Sequence, residues 1–512
     1  MHMRNETKLP EIIQGGMGIG VSDWRLARAV AKLGQMGVVS GVALDSVITR
    51  RLQLGDPGGD LRRAISHFPW PKMAQRVLDA FFIPGSKPPE TPFRLIPRSV
   101  LHMKRFAMEV LIVSNFIEVF LAKEGHDGRV GINYLEKVQL PTLPSLLGAM
   151  IAGVDLVLMG AGIPLSIPGI LDGLSRWEPV ELKLHVENNP DHIPFVHRFD
   201  PREFCEEQVF PMKRPRFLAI VSSDVVAKTM IRKATGEVDG FVVENHTAGG
   251  HNAPPRRAPK ANGDAAPQFG PKDAPNLDRI RELGKPFWLA GGYASPAKLK
   301  EALDAGATGI QVGTVFAYST ESGIQPEIRR AVIDRLLAGG IETLTDFEAS
   351  PTGYPFKLID LNSALSSVEA AKARHRVCDL GYLQQFLFDG NTDIVYRCPG
   401  EPMASYLRKQ GAEADTRGKM CLCNGLLATI GLGQVREAGG EVPILTAGED
   451  FMAVKTLVGR LKREYSAGEV IGYLLSQEAA SRPSLASRRD TADPFPPYPA
   501  PREDAAALGA PA

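Results

Sequence analysis

The sequence predicts an α/β chain folded as a (β/α)8 barrel with parallel strands, and three observations predict it. Short β-branched apolar runs recur over residues 11–313, most of them followed by a turn and a helical pattern. The runs are almost continuously apolar, as in strands covered on both faces. Glycines and small polar residues gather just after the runs, where a barrel collects its functional groups.

EIIQ (11–14) opens the series, and DWRLARAVAKLG (23–34) follows with helical spacing and a closing glycine. MGVVSG (36–41) is the second run and RVGINY (129–134) the third. The span 51–128 is too long for one crossover and reads as an expanded second βα unit, with helical pieces in PKMAQRVLDAFF and HMKRFAMEVLIVSNFIEVFLAKEG. LPSLLGAMIAG (143–153) is a helix leading to the run VDLVLMG (154–160). RFLAIVSS (216–223) and the helical VVAKTMIRKA (225–234) come next, then DGFVVEN (239–245), PFWLAGG (286–292), the helical PAKLKEALDAG (296–306) and TGIQVG (308–313). A ninth run, ELKLHV (181–186), exceeds the eight strands of a barrel. It precedes the polar, Pro-containing NNPDHIPFVHRFDPREF and is assigned to an insertion.

The expected organisation is a barrel over 1–345, a C-terminal appendage of mixed helix and loop over 346–478 packed on it, and a tail over 479–512. The tail is rich in Pro, Ala, Ser and charge, and disorder is expected of it.

At 512 residues the chain can bury a large core. Lys and Arg total 59 against 58 Asp and Glu and are scattered, which points away from nucleic acid. Five cysteines argue against a disulfide framework and for a reducing compartment. MHMRNETKLPEIIQ lacks the apolar core of a signal peptide, and the apolar stretch from Leu146 to Ile163 is interrupted by Gly and Asp. A cytoplasmic protein without a membrane span is expected, and a homodimer is left open.

The chemistry is sought at the strand ends. Gln14, Gly15, Gly16 and Met17 offer hydrogen-bonding or very small positions against which a flat ring system can lie. Asn133 ends the third run, where an amide can grip a ring carbonyl or nitrogen, and Gly160 and Ser222 follow the next two barrel runs. Gly291 and Gly292, then Gly313 and Thr314 about 20 residues on, form the arrangement that binds a single phosphate through backbone N–H groups, with Gln311 just before them a further cofactor-binding candidate. Glycine pairs also build ordinary tight turns, so this reading gains from its neighbours. ENHTAGGHNAPPR places His251 beyond Gly249 and Gly250, which let the loop fold over a ligand; a histidine there can move a proton near neutral pH. His246 of the same loop is assigned only a shaping role. Cys378, Cys398, Cys421 and Cys423 fall in the appendage without the paired CxxC spacing of a zinc finger; buried structural cysteines are the preferred reading, and no metal is assigned. Cys205 has no sequence neighbour.

Taken in order, IIQGGMG, GINY, TAGGH and PFWLAGGYASPAKLKEALDAGATGIQVGTVFA resemble the nitronate monooxygenase family, formerly 2-nitropropane dioxygenases, and the related FMN-dependent enoyl-ACP reductases, including those of polyunsaturated fatty acid synthases. The resemblance covers most of 10–320 and implies FMN on a TIM barrel. It puts the phosphate at Gly291, Gly292, Gly313 and Thr314, the ring near Gln14, Gly15, Gly16, Met17 and Asn133, and the active-site histidine at His251. Nitronate oxidation with O2 is the first activity it implies. Reduction of an enoyl thioester or a quinone, with NAD(P)H as co-substrate, is the alternative, and a non-catalytic barrel scaffold the third. The segment 51–128, the Pro-rich stretch after His251 and the appendage with SPTGYPF and CLCNGLLATIGLG depart from simple members and bear on the substrate.

Overall fold

The computed structural model describes residues 9–190, 193–206, 209–256, 268–391, 393–437 and 439–476. The tail expected over 479–512, and most of the Pro-rich stretch after His251, lie outside the described residues.

Eight parallel strands form the barrel: β1 (Ile12–Gln14), β2 (Gly37–Ser40), β3 (Val130–Leu135), β4 (Leu156–Gly160), β5 (Arg216–Val221), β6 (Gly240–Glu244), β7 (Phe287–Ala290) and β8 (Gly309–Val312). Each pairs with its neighbour from β2 through to β8, and β1 pairs with β8, Ile13 opposite Gln311. The ring is completed between β1 and β2, where Gln14 N donates to Met36 O (2.9 Å) and Met36 N to Ile12 O (3.0 Å). Inside it, Ile13, Val38, Leu158, Leu218, Val242, Trp288 and Ala290 fill the bore. Trp288 also donates its indole N–H to Pro10 O at 2.9 Å, closing the N-terminal end. Truncating that Trp costs about 3–5 kcal/mol, the usual toll of an emptied core position.

The helices predicted after the runs are present at Trp24–Lys32, Thr142–Ile151, Asp224–Lys233 and Pro296–Asp304. The chain between β2 and β3 holds four helices, of which Arg105–Lys123 is the longest. That helix buries nearly its whole surface, including Glu118, which accepts from Trp24 N at 2.7 Å and lies 3.8 Å from Arg51. The ninth run stands off the barrel, as Val180–Lys183 paired antiparallel with Val196–Phe199.

The C-terminal region contains strands as well as helices. Thr343–Asp346 pairs antiparallel with Phe356–Ile359, so residue 346 falls inside a hairpin rather than between two units. Gln385–Phe388 pairs with Ile394–Arg397 on one side and with Val186–Glu187, from the excursion after β4, on the other. Four-residue strands leave little periodicity to read, and one partner, Val186–Glu187, is distant in sequence. The last described helix, Ala467–Leu475, returns to pack on Trp24–Lys32. No described helix is long and apolar enough to cross a membrane.

Candidate active site

At the C-terminal ends of the strands lies a cavity of about 260 Å3. Its floor comes from the barrel loops and its roof from the C-terminal region, through Phe356, Tyr382, Leu383, Leu422, Leu426 and Thr446 among others. Of the residues singled out from sequence, Gly15, Gly16, Met17, Asn133, Gly160, Gly249, Gly250, His251, Gly291, Gly292, Gln311, Gly313 and Thr314 all line it.

Gln14 and Ser222 do not. Gln14 is fully buried beneath the first loop: Val38 N donates to its Oε1 (3.0 Å) and its Nε2 donates to Ser22 Oγ (2.9 Å). It shapes the loop from below, and Ser22 Oγ completes the turn by accepting from Met17 N at 2.9 Å. Ser222 falls beyond the end of β5, where the next residue, Ser223, caps the helix Asp224–Lys233. A strand end alone does not reveal which way the following residue turns.

The glycines are required by shape. Gly291 and Gly292 have φ of +87° and +75°, which a side chain rarely adopts, and a Cβ on Gly291 would stand 2.9 Å from Asn245 O. A Cβ on Gly16 would stand 2.5 Å from the Asn133 Cβ, so the first loop sits directly on the third strand. Two buried polar atoms on the cavity wall, Gln311 Oε1 and Thr247 Oγ1, have no hydrogen-bond partner among the described residues. Thr314 Oγ1 accepts from Gly448 N at 2.9 Å, which joins the last barrel loop to the roof.

The TAGGH loop is clamped by the same region. Gly250 N donates to Thr446 Oγ1 (2.9 Å), Lys357 N to Gly250 O (2.9 Å) and Glu449 N to Thr247 O (3.0 Å). His251 packs edge-on against Phe356, centroids 4.8 Å apart, with its Nε2 2.7 Å from Ser350 Oγ. Ser350 Oγ is itself 2.8 Å from Thr352 Oγ1. Burial, reinforced by the nearby Lys137 charge, holds the His251 imidazole well below its usual pKa, so the ring is neutral at pH 7. With Nε2 engaged by Ser350, Nδ1 is left for a ligand.

Two further titrating groups escaped the sequence reading. Glu244, at the end of β6, lines the cavity, and burial raises its carboxyl to about 7. It stands three residues before the TAGGH loop, and only its position as the last residue of a strand marked it out. Lys137, just past β3, is brought down to about 7 by burial, against the pull of Glu136. Its Nζ has no hydrogen-bond acceptor among the described residues and lies 4.2 Å from the Tyr354 ring centroid. Glu244 and Asp450 are the carboxylates on the cavity wall; no Lys or Arg stands among the described lining residues.

No family model matches the chain. Over 221 residues it is 24% identical to a nitronate monooxygenase of Pseudomonas aeruginosa, an alignment covering 39% of this chain and 58% of that protein. The chain is thus similar to that family over little more than half the relative's length. Among solved structures, FabK from Thermotoga maritima aligns with a TM-score of 0.44 at 14% identity, covering 91% of this chain and 92% of that one. A nitroalkane oxidase from Streptomyces ansochromogenes aligns with a TM-score of 0.44 at 15% identity, covering 92% and 96%. The enoyl reductase domain of MlnA, from the macrolactin cluster of Bacillus amyloliquefaciens, aligns with a TM-score of 0.45 at 12% identity, covering 92% and 94%.

Proposed function

We propose that the chain is an FMN-dependent oxidoreductase in which His251 is the acid/base group. The observation that carries this reading is the convergence on one cavity of the left-handed Gly291–Gly292 turn, Gly313 and Thr314, the orphaned Gln311 Oε1 and Thr247 Oγ1, and His251. These residues fit FMN. The glycine turn leaves backbone open to a phosphate, Gln311 and Thr247 have unmet bonding capacity for a polar ligand, and Gly15, Gly16 and Asn133 form a narrow platform for a ring. Bound there, FMN would supply the hydride or electron chemistry. The roof covers part of that space, and the buried neutral imidazole presents Nδ1 to the substrate. Where Ser350 donates to Nε2, Nδ1 carries a proton to give; where Ser350 accepts, Nδ1 takes one.

Between the two reactions, the wall favours a neutral, apolar substrate. Phe356, Leu383, Leu422, Leu426, Ile19 and Val21 line it, and two carboxylates stand there without a basic residue, a setting in which a desolvated anion is costly. This supports reduction of an activated alkene or quinone by nicotinamide-reduced flavin. Nitronate oxidation with O2 is the second reading, supported by the similarity to the Pseudomonas aeruginosa protein. Anaerobic absorbance spectroscopy separates them. Rapid bleaching by NADH or NADPH alone supports the reductase, bleaching or a semiquinone with ethylnitronate alone supports the monooxygenase, and protein purified without a flavin spectrum overturns both.

A further inference from the structure

The four cysteines of the C-terminal region come from three separate segments yet line one small buried cavity of about 10 Å3, together with Pro351, Leu383 and Asn424. That cavity shares Leu383, Leu422 and Cys423 with the active-site cavity, so the thiol cluster forms the back of its roof. All four are free thiols, and no three acidic, His or Cys side chains among the described residues are placed to hold a metal ion.

Within the cluster one pair is unlike the rest. The Cys378 and Cys398 thiols line the same small cavity and lie near enough to shift each other's protons. Cys378 is partly exposed, and the Arg98 guanidinium, which donates to its backbone carbonyl, lies beside it; Cys398 is buried. The neighbouring Cys398 thiol, opposed by burial and aided by Arg98, lowers the Cys378 thiol below its ordinary pKa, while the Cys378 neighbour and burial push Cys398 well up. Of the two, the partly exposed residue is therefore the easier to ionise, with the buried cysteine's thiol against it. Cys421 and Cys423 stand two residues apart at the start of the helix Leu422–Thr429. The Cys421 thiol accepts from Asn424 Nδ2 (3.5 Å) and donates to Val377 O (3.9 Å), and burial raises both of these thiols.

We propose that Cys378 and Cys398 are a reversible dithiol–disulfide couple oxidised by hydroperoxides. The Cys378 thiolate attacks the terminal oxygen of ROOH. The O–O bond breaks, ROH leaves with a proton from solvent, and sulfur is oxidised to the sulfenic acid. The Cys398 sulfur, losing its proton, then attacks the sulfenic sulfur; the S–S bond forms as the S–O bond breaks, and water leaves. In sum, two thiols and ROOH give one disulfide, ROH and water. The bond closes the loop that carries Tyr382 and Leu383 into the active-site wall, where Tyr382 also donates to Asp45 Oδ1 at 2.5 Å. Oxidation at this site thereby staples one wall of the substrate space.

The test uses the full chain as purified, reduced and desalted, then treated with hydrogen peroxide, quenched with N-ethylmaleimide and mapped by mass spectrometry; the readout does not depend on flavin. The expected result is a loss of about 2 Da, two hydrogens, confined to a peptide pair joining Cys378 to Cys398 and reversed by dithiothreitol, with Cys205, Cys421 and Cys423 alkylated. In Cys398→Ala, dimedone traps a sulfenic acid at Cys378; in Cys378→Ala, Cys398 stays unoxidised. The wild-type map stands even if either variant fails to fold. The proposal is overturned if no cross-link forms, if it joins any other pair, if Cys378 runs on to the sulfinic acid in the wild type, or if the four thiols resist alkylation because zinc or iron co-purifies with them.

Discussion

His251 Nε2 lies 2.7 Å from Ser350 Oγ although 99 residues of chain separate them. The histidine comes from the barrel and its orienting hydroxyl from the region that roofs it. The ring therefore has a fixed attitude only when both parts are docked, and the cavity and the proposed acid/base are completed by the same contact.

His251→Ala is expected to retain flavin and to slow substrate-dependent flavin reduction by roughly 10²–10⁴-fold, the usual contribution of a positioned acid/base. Stopped-flow absorbance at the flavin band measures it. Unchanged reduction by the true substrate removes His251 from the mechanism.

Ser350→Ala leaves the imidazole in place but unoriented. A loss of roughly tenfold in kcat with KM little changed is expected, together with an altered pH profile, since one hydrogen bond is worth about 1 kcal/mol. Equal activity and an identical profile would show that Phe356 packing alone fixes the ring.

Gly291→Ala forces a side chain into a left-handed turn with Asn245 O in its way. A cost of about 1–3 kcal/mol is expected, along with loss of most of the flavin. The ratio of flavin to protein absorbance after gel filtration reports the second effect, and full occupancy would place the phosphate elsewhere.

Glu244 gives a pH dependence of definite sign. Its carboxyl is raised by burial from 4.5 to about 7 in the folded chain. Between those values the folded chain keeps a proton that the unfolded chain has released, so this group lowers stability as pH rises from about 4.5 to about 7 and adds nothing further beyond. Glu244→Gln removes that loss: on the order of 2 kcal/mol more stable at pH 8, unchanged at pH 4. The difference in urea midpoint between variant and wild type, taken at both pH values, checks it, and an equal difference at both would show that Glu244 titrates alike in the folded and the unfolded chain.

The barrel was legible because its signals are local. A β-branched run followed by a helix with a capping glycine needs no distant partner to be read, and the ninth run stood out by the polar stretch after it. The glycines and His251 followed from their place after those runs. What sequence concealed depends on long-range contact. Ser350 is one serine in a turn-rich segment, and nothing in SPTGYPF points to His251. Glu244 and Lys137 became notable only once burial shifted their protons. Gln14 was read as facing a ligand because adjacent loop residues do; its side chain turned inward to the β2 backbone instead.

The division of the site between floor and roof also sets an order of events at the ribosome. Every glycine turn of the floor precedes Ala317, whereas the roof residues run from Ser350 to Asp450. At translation rates of about 5–20 residues per second, the floor emerges roughly 7–27 s before the roof is finished. On the nascent chain the floor therefore exists before anything can cover it, and the cavity gains its roof last.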